Sequence, residues 1–122
     1  MTSRNYTDLI AWQKAMTLVE DVYRASAGMP DEERYGLTAQ MRRSAVSVPS
    51  NIAEGEGRRT GGEFVNQLSV AHGSIRELET QLMLCERLGF LSARLIAPLL
   101  DEAAEVGRLV TGLANSIAGR RR

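Results

Sequence analysis

The sequence predicts an all-α protein, an antiparallel up-down-up-down four-helix bundle, and three observations predict it. Apolar residues recur at the three-and-four spacing of one helix face in four separate stretches. The breaks between them carry Gly, Pro and capping residues and span only a few positions, so consecutive helices must reverse direction. Aromatics are only 5% of the 122 residues, so Leu, Ala, Val and Met must fill the core, which suits helices better than a β-sandwich. A chain of this length builds one core, so residues 1–122 are read as a single domain, ordered over about 8–118, with a flexible N-terminus and an Arg-rich tail.

The first stripe is Leu9, Trp12, Met16, Val19 and Tyr23, with Asp8 as its N-cap. Gly28 and Pro30 end it, and Asp31 offers the cap of a second helix whose first-turn acids suit the positive end of the helix dipole. The second stripe, Leu37, Met41, Ala45, Val48 and Ile52, passes through Pro49 in register, so the helix continues past it. Pro49 leaves the Ala45 carbonyl without its helical donor, at a cost of about 3 kcal/mol, and predicts a kink there. Gly55 and Gly57 close the helix, glycine being free to take the left-handed conformation.

Thr60 and Glu63 in "TGGEF" predict a capping box for the third helix. Its stripe runs from Phe64 through Leu68, Ala71, Ile75, Leu78, Leu82 and Cys85, and Gly89 stops it. Ser92 caps a fourth helix with Leu95, Leu99, Ala103, Val106, Val110, Leu113 and Ile117, Pro98 in an early turn and Gly119 at the end. Ile10, Ala15, Leu18 and Val22 on helix one, and Ile96, Leu100, Ala104 and Leu109 on helix four, widen the apolar faces beyond one core and point to a homo-oligomer.

The charges balance, 15 basic against 15 acidic, so no global field draws the molecule to nucleic acid or membrane, and any such binding needs a local patch. Cys85 is the only cysteine, which excludes an intrachain disulfide. The N-terminal residues lack a signal-peptide apolar run and nothing is long enough to span a bilayer, so a cytoplasmic protein without membrane partners is expected.

Beside the apolar stripe of helix two runs a polar one, Gln40, Ser44, Ser47, Asn51 and Glu54; helix three matches it with Glu63, Gln67, Ser74, Glu77 and Gln81. Antiparallel pairing brings Asn51 near Gln67 and Ser44 or Ser47 near Ser74. Such stripes make either a polar pocket or a hydrogen-bonded seam that fixes helix register, and the seam is the stronger reading. Nucleophilic catalysis needs a base within reach, and the only histidine, His72, sits on the flank of helix three beside Arg76 and Glu79. No Glu-x-x-His pair is present, so no metal or cofactor is expected, and Cys85 fits the core.

"GEGRRTGG" has neither the lysine nor the preceding strand of a P-loop. Arg58 and Arg59 nevertheless stand directly before the N-terminus of helix three, where free amides favour an anion, and Arg42 and Arg43 can extend the patch. The competing reading pairs these arginines with Glu54, Glu56 or a neighbouring subunit.

The runs "LIAWQKAM", "YGLTAQMRRSAVSVPSNIAEGEGRR", "EFVNQL" and "AHGSIRELETQL", in this order, resemble the four-helix-bundle family encoded in intervening sequences of 23S rRNA genes. The resemblance covers about residues 8–118 and carries Arg42, Arg43, Ser47, Pro49, Asn51, Glu54, Gly55, Arg58, Ser74, Glu77, Thr80 and Gln81 in the family's spacing. It implies a left-handed antiparallel bundle assembled as a ring, a homopentamer in known relatives, and kinship to the accessory variability proteins of diversity-generating retroelements, which bind nucleic acid and a reverse transcriptase. It implies no catalytic role for any of these residues. Glu56 stands where relatives often have an aromatic or apolar residue, and His72 where they often have Arg; both departures lower positive charge or apolar contact near the loop.

The expectation is a non-enzymatic homo-oligomeric bundle acting through surface contacts, with RNA or a nucleoprotein as partner. The alternatives are an accessory subunit of a reverse transcriptase or other protein, and a ligand-binding protein using Ser47, Asn51 and Glu54.

Overall fold

The computed structural model describes residues 5–120. The expected flexibility of the first residues and of the Arg-rich tail falls largely outside that range. Four helices carry the fold: α1 (Ile10–Ser26), α2 (Leu37–Glu56), α3 (Gly61–Arg87) and α4 (Ala93–Arg120). Two short 3-10 turns, Tyr6–Asp8 and Asp31–Glu33, precede α1 and α2, and no strand occurs among the described residues. With a rise of about 1.5 Å per residue, α3 and α4 are each about 40 Å long. Each helix packs on its neighbours in the chain, and α4 also packs on α1, which closes the core on four sides.

The helix starts differ from the expected ones. Asp8 does not cap α1: with Asn5 it forms a capping box around the turn Tyr6–Asp8, and Leu9 stands at the N-cap of α1 with no side-chain bond. Asp31 opens only the 3-10 turn, because α2 waits until Leu37, whose N–H donates to the Glu33 carboxylate at 3.0 Å. Thr60 caps α3 as expected, its Oγ1 accepting from Glu63 N–H at 3.1 Å, but only this half of the capping box forms. Leu95 N–H lies 3.4 Å from Ser92 Oγ at the start of α4.

The ends also divide. Gly89 has φ +76° and stops α3 in the left-handed conformation that glycine adopts without Cβ strain. Gly57, at the end of α2, is right-handed at φ −81°, so no left-handed glycine is needed there. Gly55 is required for a different reason: a Cβ on it would sit 2.8 Å from both Gln67 Cβ and Phe64 Cδ1, so α2 and α3 approach closely here. α2 runs without interruption through Pro49, which is buried.

The core follows the expected stripes in α2 and α3, where Met41, Ala45, Val48, Ile52, Leu68, Ala71, Leu78 and Cys85 are fully buried. α1 is rotated from expectation. Ala11, Ala15, Leu18 and Val22 point inward, Leu9, Trp12 and Val19 pack at the core edge, and Met16 and Tyr23 are exposed. Two apolar faces compete on this helix, and the side with small Ala11 and Ala15 allows the closer approach to the other helices. α4 makes a smaller shift: Ile96 is buried and Leu95 exposed, with Leu99, Ala103, Val106, Val110 and Ile117 inside as expected.

Cys85 Sγ lies 3.3 Å from Met41 Sδ and 3.8 Å from Met29 Sδ, a sulfur cluster that ties the α1–α2 connection to the core. Burial first, then the charge of Glu33, raises the Cys85 thiol to about 11.

Candidate functional site

The polar stripes of α2 and α3 meet. Ser47 Oγ and Ser74 Oγ share a 2.8 Å hydrogen bond, and Asn51 Nδ2 donates to Ser47 Oγ at 2.9 Å and to the Ser47 carbonyl at 2.8 Å. Lower down, Gln67 Nε2 donates to Glu54 Oε1 at 3.2 Å, and the same oxygen accepts from Arg58. Gln67 therefore finds Glu54 and not Asn51, because Asn51 turns back onto its own helix. Ser44 is buried beside this line, Glu77 is exposed, and Gln81 Oε1 is buried without a partner.

No imidazole or carboxylate contacts Ser47 Oγ or Ser74 Oγ among the described residues, so neither hydroxyl has the base that a nucleophile requires. The seam joins side chains to one another and leaves few polar atoms free for a ligand. It fixes α2 against α3.

The four arginines separate into two pairs. Arg58 is held by Glu54 one turn away in an ion pair, while Arg59 is exposed in the turn before α3. Arg42 and Arg43 lie about 16 residues upstream along α2, too far to form one patch with them. They belong instead to a cleft of about 680 Å³ between the end of α1 and the start of α2.

In that cleft Arg42 lies with its guanidinium carbon 4.6 Å from the centre of the Tyr23 ring, while its Nε donates to Ser26 Oγ at 2.8 Å. Ser26 Oγ in turn donates to the Tyr23 carbonyl at 3.2 Å. The cation is thus fixed by α1 through a face-on aromatic contact and a neutral hydroxyl, with no carboxylate consuming its charge. Arg34 and Arg43 flank it, both exposed. The ion pairs among the described residues engage Lys14, Arg24, Arg58 and Arg76, and none engages Arg34, Arg42 or Arg43.

Three acids, Asp31, Glu32 and Glu33, precede Arg34 in the chain, yet none lines the cleft. Glu33 is drawn to the first amide of α2. The result is a local excess of three positive charges on a molecule of zero net charge.

Tyr23, Arg34, Tyr35 and Thr38 were not singled out from the sequence. A signal was present: Arg34, Thr38 and Arg42 repeat at intervals of four, as do Tyr35, Ala39 and Arg43. Arg34 and Tyr35 precede the helix, in a turn where apolar periodicity says nothing, and Tyr23 had been assigned to the core.

A second groove, of about 490 Å³, lies between α3 and α4 beside Gly107 and Gly112. His72 lines it, but Arg76 there is paired with Glu79 at 3.2 Å. On the opposite side Glu102, between α4 and α1, has its carboxyl raised to about 7, first by burial and then by a hydrogen bond and charge from Asp21. No cluster of three or more His, Cys, Asp or Glu with metal-binding geometry occurs among the described residues. Nor is any described helix long and apolar enough to cross a membrane.

The family described as 23S rRNA-intervening sequence protein matches residues 7–112. The chain belongs to that family. A solved structure of a protein of unknown function, from the S23 ribosomal protein family of Bacteroides thetaiotaomicron VPI-5482, superposes with a TM-score of 0.80. It covers 86% of this chain and 98% of its own, at 19% identity, which extends the likeness to the fold. No curated protein matches this chain. That solved protein, itself of unknown function, thus shares the fold of this chain.

Proposed function

We propose that this intervening-sequence protein is a non-enzymatic, homo-oligomeric bundle that binds RNA through the arginine cleft between α1 and α2. One observation carries the reading: Arg34, Arg42 and Arg43 converge on a cleft with no carboxylate in its wall. Unneutralised guanidinium groups beside aromatic rings are the chemistry that contacts phosphates and bases.

The bundle runs up-down-up-down. Contacts in opposite chain order support this: Met41 meets Cys85, Ser47 meets Ser74 and Glu54 meets Gln67 across α2 and α3, while Lys14 reaches Glu105 and Asp21 meets Glu102 across α1 and α4. A bend at Pro49 follows from its missing amide. Apolar side chains left at the surface, Ile10, Val70, Met83, Leu88 and Leu95 among them, support assembly of several copies, as the family resemblance to ring-forming pentamers implies.

The test is a comparison of two double variants. Arg34→Ala plus Arg43→Ala weakens RNA binding, whereas Arg58→Ala plus Arg59→Ala leaves it nearly unchanged, because Arg58 is already engaged by Glu54 and Arg59 lies outside the cleft. The opposite order would place the contact at the α2–α3 turn. Light scattering that returned a monomer at micromolar concentration would remove the oligomer.

A further inference from the structure

Two features of the α1–α2 cleft exceed what phosphate attraction alone requires. Tyr35 is 89% exposed, its ring standing in solvent in the turn that leads into α2. Thr38, only 7% exposed, has its Oγ1 buried in the cleft wall without any hydrogen-bond partner. A buried hydroxyl left unpaired is costly, and a χ1 rotation that turned it to the cleft surface to meet a ligand atom would end that cost.

We propose, resting on the reading of this face as an RNA surface, that the cleft takes an unpaired nucleotide of single-stranded RNA. Its base stacks on Tyr35, its flanking phosphates meet Arg34 and Arg43, and the Thr38 hydroxyl bonds to a polar edge of the nucleotide. Tyr35 is the more open platform, since Tyr23 is 43% exposed and has one face of its ring covered by Arg42 at 4.6 Å. Val46, 39% exposed on the same wall, adds apolar surface.

The volume of about 680 Å³ lies within the range of sites that enclose small ligands. A duplex would offer phosphates to the arginines but keep its bases stacked inside, leaving both Tyr35 and Thr38 unmet. An acidic peptide would likewise answer the charge and leave the ring without a planar partner.

The experiment uses the full chain and fluorescence anisotropy with three probes: a labelled single-stranded RNA of about 12 nucleotides, the same strand annealed to its complement, and poly-glutamate as unlabelled competitor. The single strand is expected to bind roughly tenfold or more tighter than the duplex. Tyr35→Ala should weaken the single strand by roughly 5- to 150-fold, the range of one lost base stack, and leave the duplex unchanged. Tyr35→Phe should retain binding, and Thr38→Val should weaken only the single strand. Because Tyr35 is solvent-exposed, circular dichroism of the variant should match the parent.

Equal affinity for both RNAs, or no effect of Tyr35→Ala, overturns the nucleotide site. If Arg34→Ala plus Arg43→Ala still weakens both probes in that case, the RNA surface survives without it. Absence of salt-sensitive binding by either RNA overturns the surface itself and the nucleotide site with it. Displacement of RNA by poly-glutamate at equal charge reassigns the cleft to acidic polypeptide.

Discussion

Replacing Gly55 by alanine tests how closely α2 and α3 are joined. The new Cβ would lie 2.8 Å from Gln67 Cβ and Phe64 Cδ1, and 3.3 Å from Phe64 Cε1. Non-bonded carbons sit at about 3.5–4.0 Å, so roughly 1 Å of separation must be found. Phe64 can rotate away, but Gln67 Cβ is fixed to the α3 backbone, and relieving that clash moves one helix against the other. Overpacking of this kind costs about 1–3 kcal/mol, against which alanine returns about 1 kcal/mol of helix propensity.

We therefore expect Gly55→Ala to lose about 1 kcal/mol net. Gly73→Ala is the control, since it lies on the exposed side of α3 with nothing within 4 Å of the added carbon. It should gain about 0.5–1 kcal/mol. The two variants should thus differ by about 2 kcal/mol, or very roughly 8 °C in Tm for a domain of this size. Urea unfolding followed by far-ultraviolet circular dichroism, at one fixed protein concentration, measures the difference. Equal stabilities, or a Gly55→Ala protein more stable than Gly73→Ala, would refute the close approach.

Three further outcomes are expected. A double-mutant cycle of Ser47→Ala and Ser74→Ala should show a coupling of about 0.5–1.5 kcal/mol, the net worth of one hydrogen bond, and no coupling would mean that the two hydroxyls are met separately by water. Glu102 is raised to about 7 from an ordinary carboxyl value, so the folded state holds its proton more tightly than the unfolded chain. The stability this contributes is present at low pH and lost as pH rises toward 7; Glu102→Gln should flatten that fall in a pH series of unfolding curves, and an unchanged slope contradicts it. The Cys85 thiol, raised to about 11 and fully buried, should resist alkylation at pH 8 in the native protein and react once urea unfolds it, whereas comparable native and unfolded rates would place it at the surface.

The parts of the fold that were legible in the sequence are those where one apolar stripe stands alone. On α3 the run from Leu68 to Cys85 makes one unbroken apolar stripe, against which the scattered Val70, Met83 and Leu84 form no rival face, and that stripe turns inward. On α1 two apolar faces compete, and periodicity cannot rank Trp12 and Met16 against Ala11 and Ala15; the choice depends on how near the other helices come. Local capping chemistry misled where two turns lie close together. Asp31 looks like a cap, but a 3-10 turn intervenes and Glu33 takes the role from four residues upstream of Leu37.

The candidate site was half legible. Spacing brought Ser44 or Ser47 near Ser74, since antiparallel register fixes roughly which positions face each other, and it is Ser47 that makes the bond. Whether an arginine keeps its charge available depends on its rotamer and neighbours, and no sequence pattern reports that. Arg58, just past the end of α2, is neutralised by Glu54, whereas Arg42, within the first turns of the same helix, is paired with no carboxylate.

The central claim is that unpaired arginines on the α1–α2 face hold RNA by its phosphates, and the salt dependence of binding tests it most directly. The logarithm of the association constant for single-stranded RNA should fall linearly with the logarithm of salt concentration, and Arg34→Ala plus Arg43→Ala should reduce that slope by about 1.4, roughly 0.7 for each phosphate contact removed. A slope that is flat, or that the double variant leaves unchanged, would contradict the account.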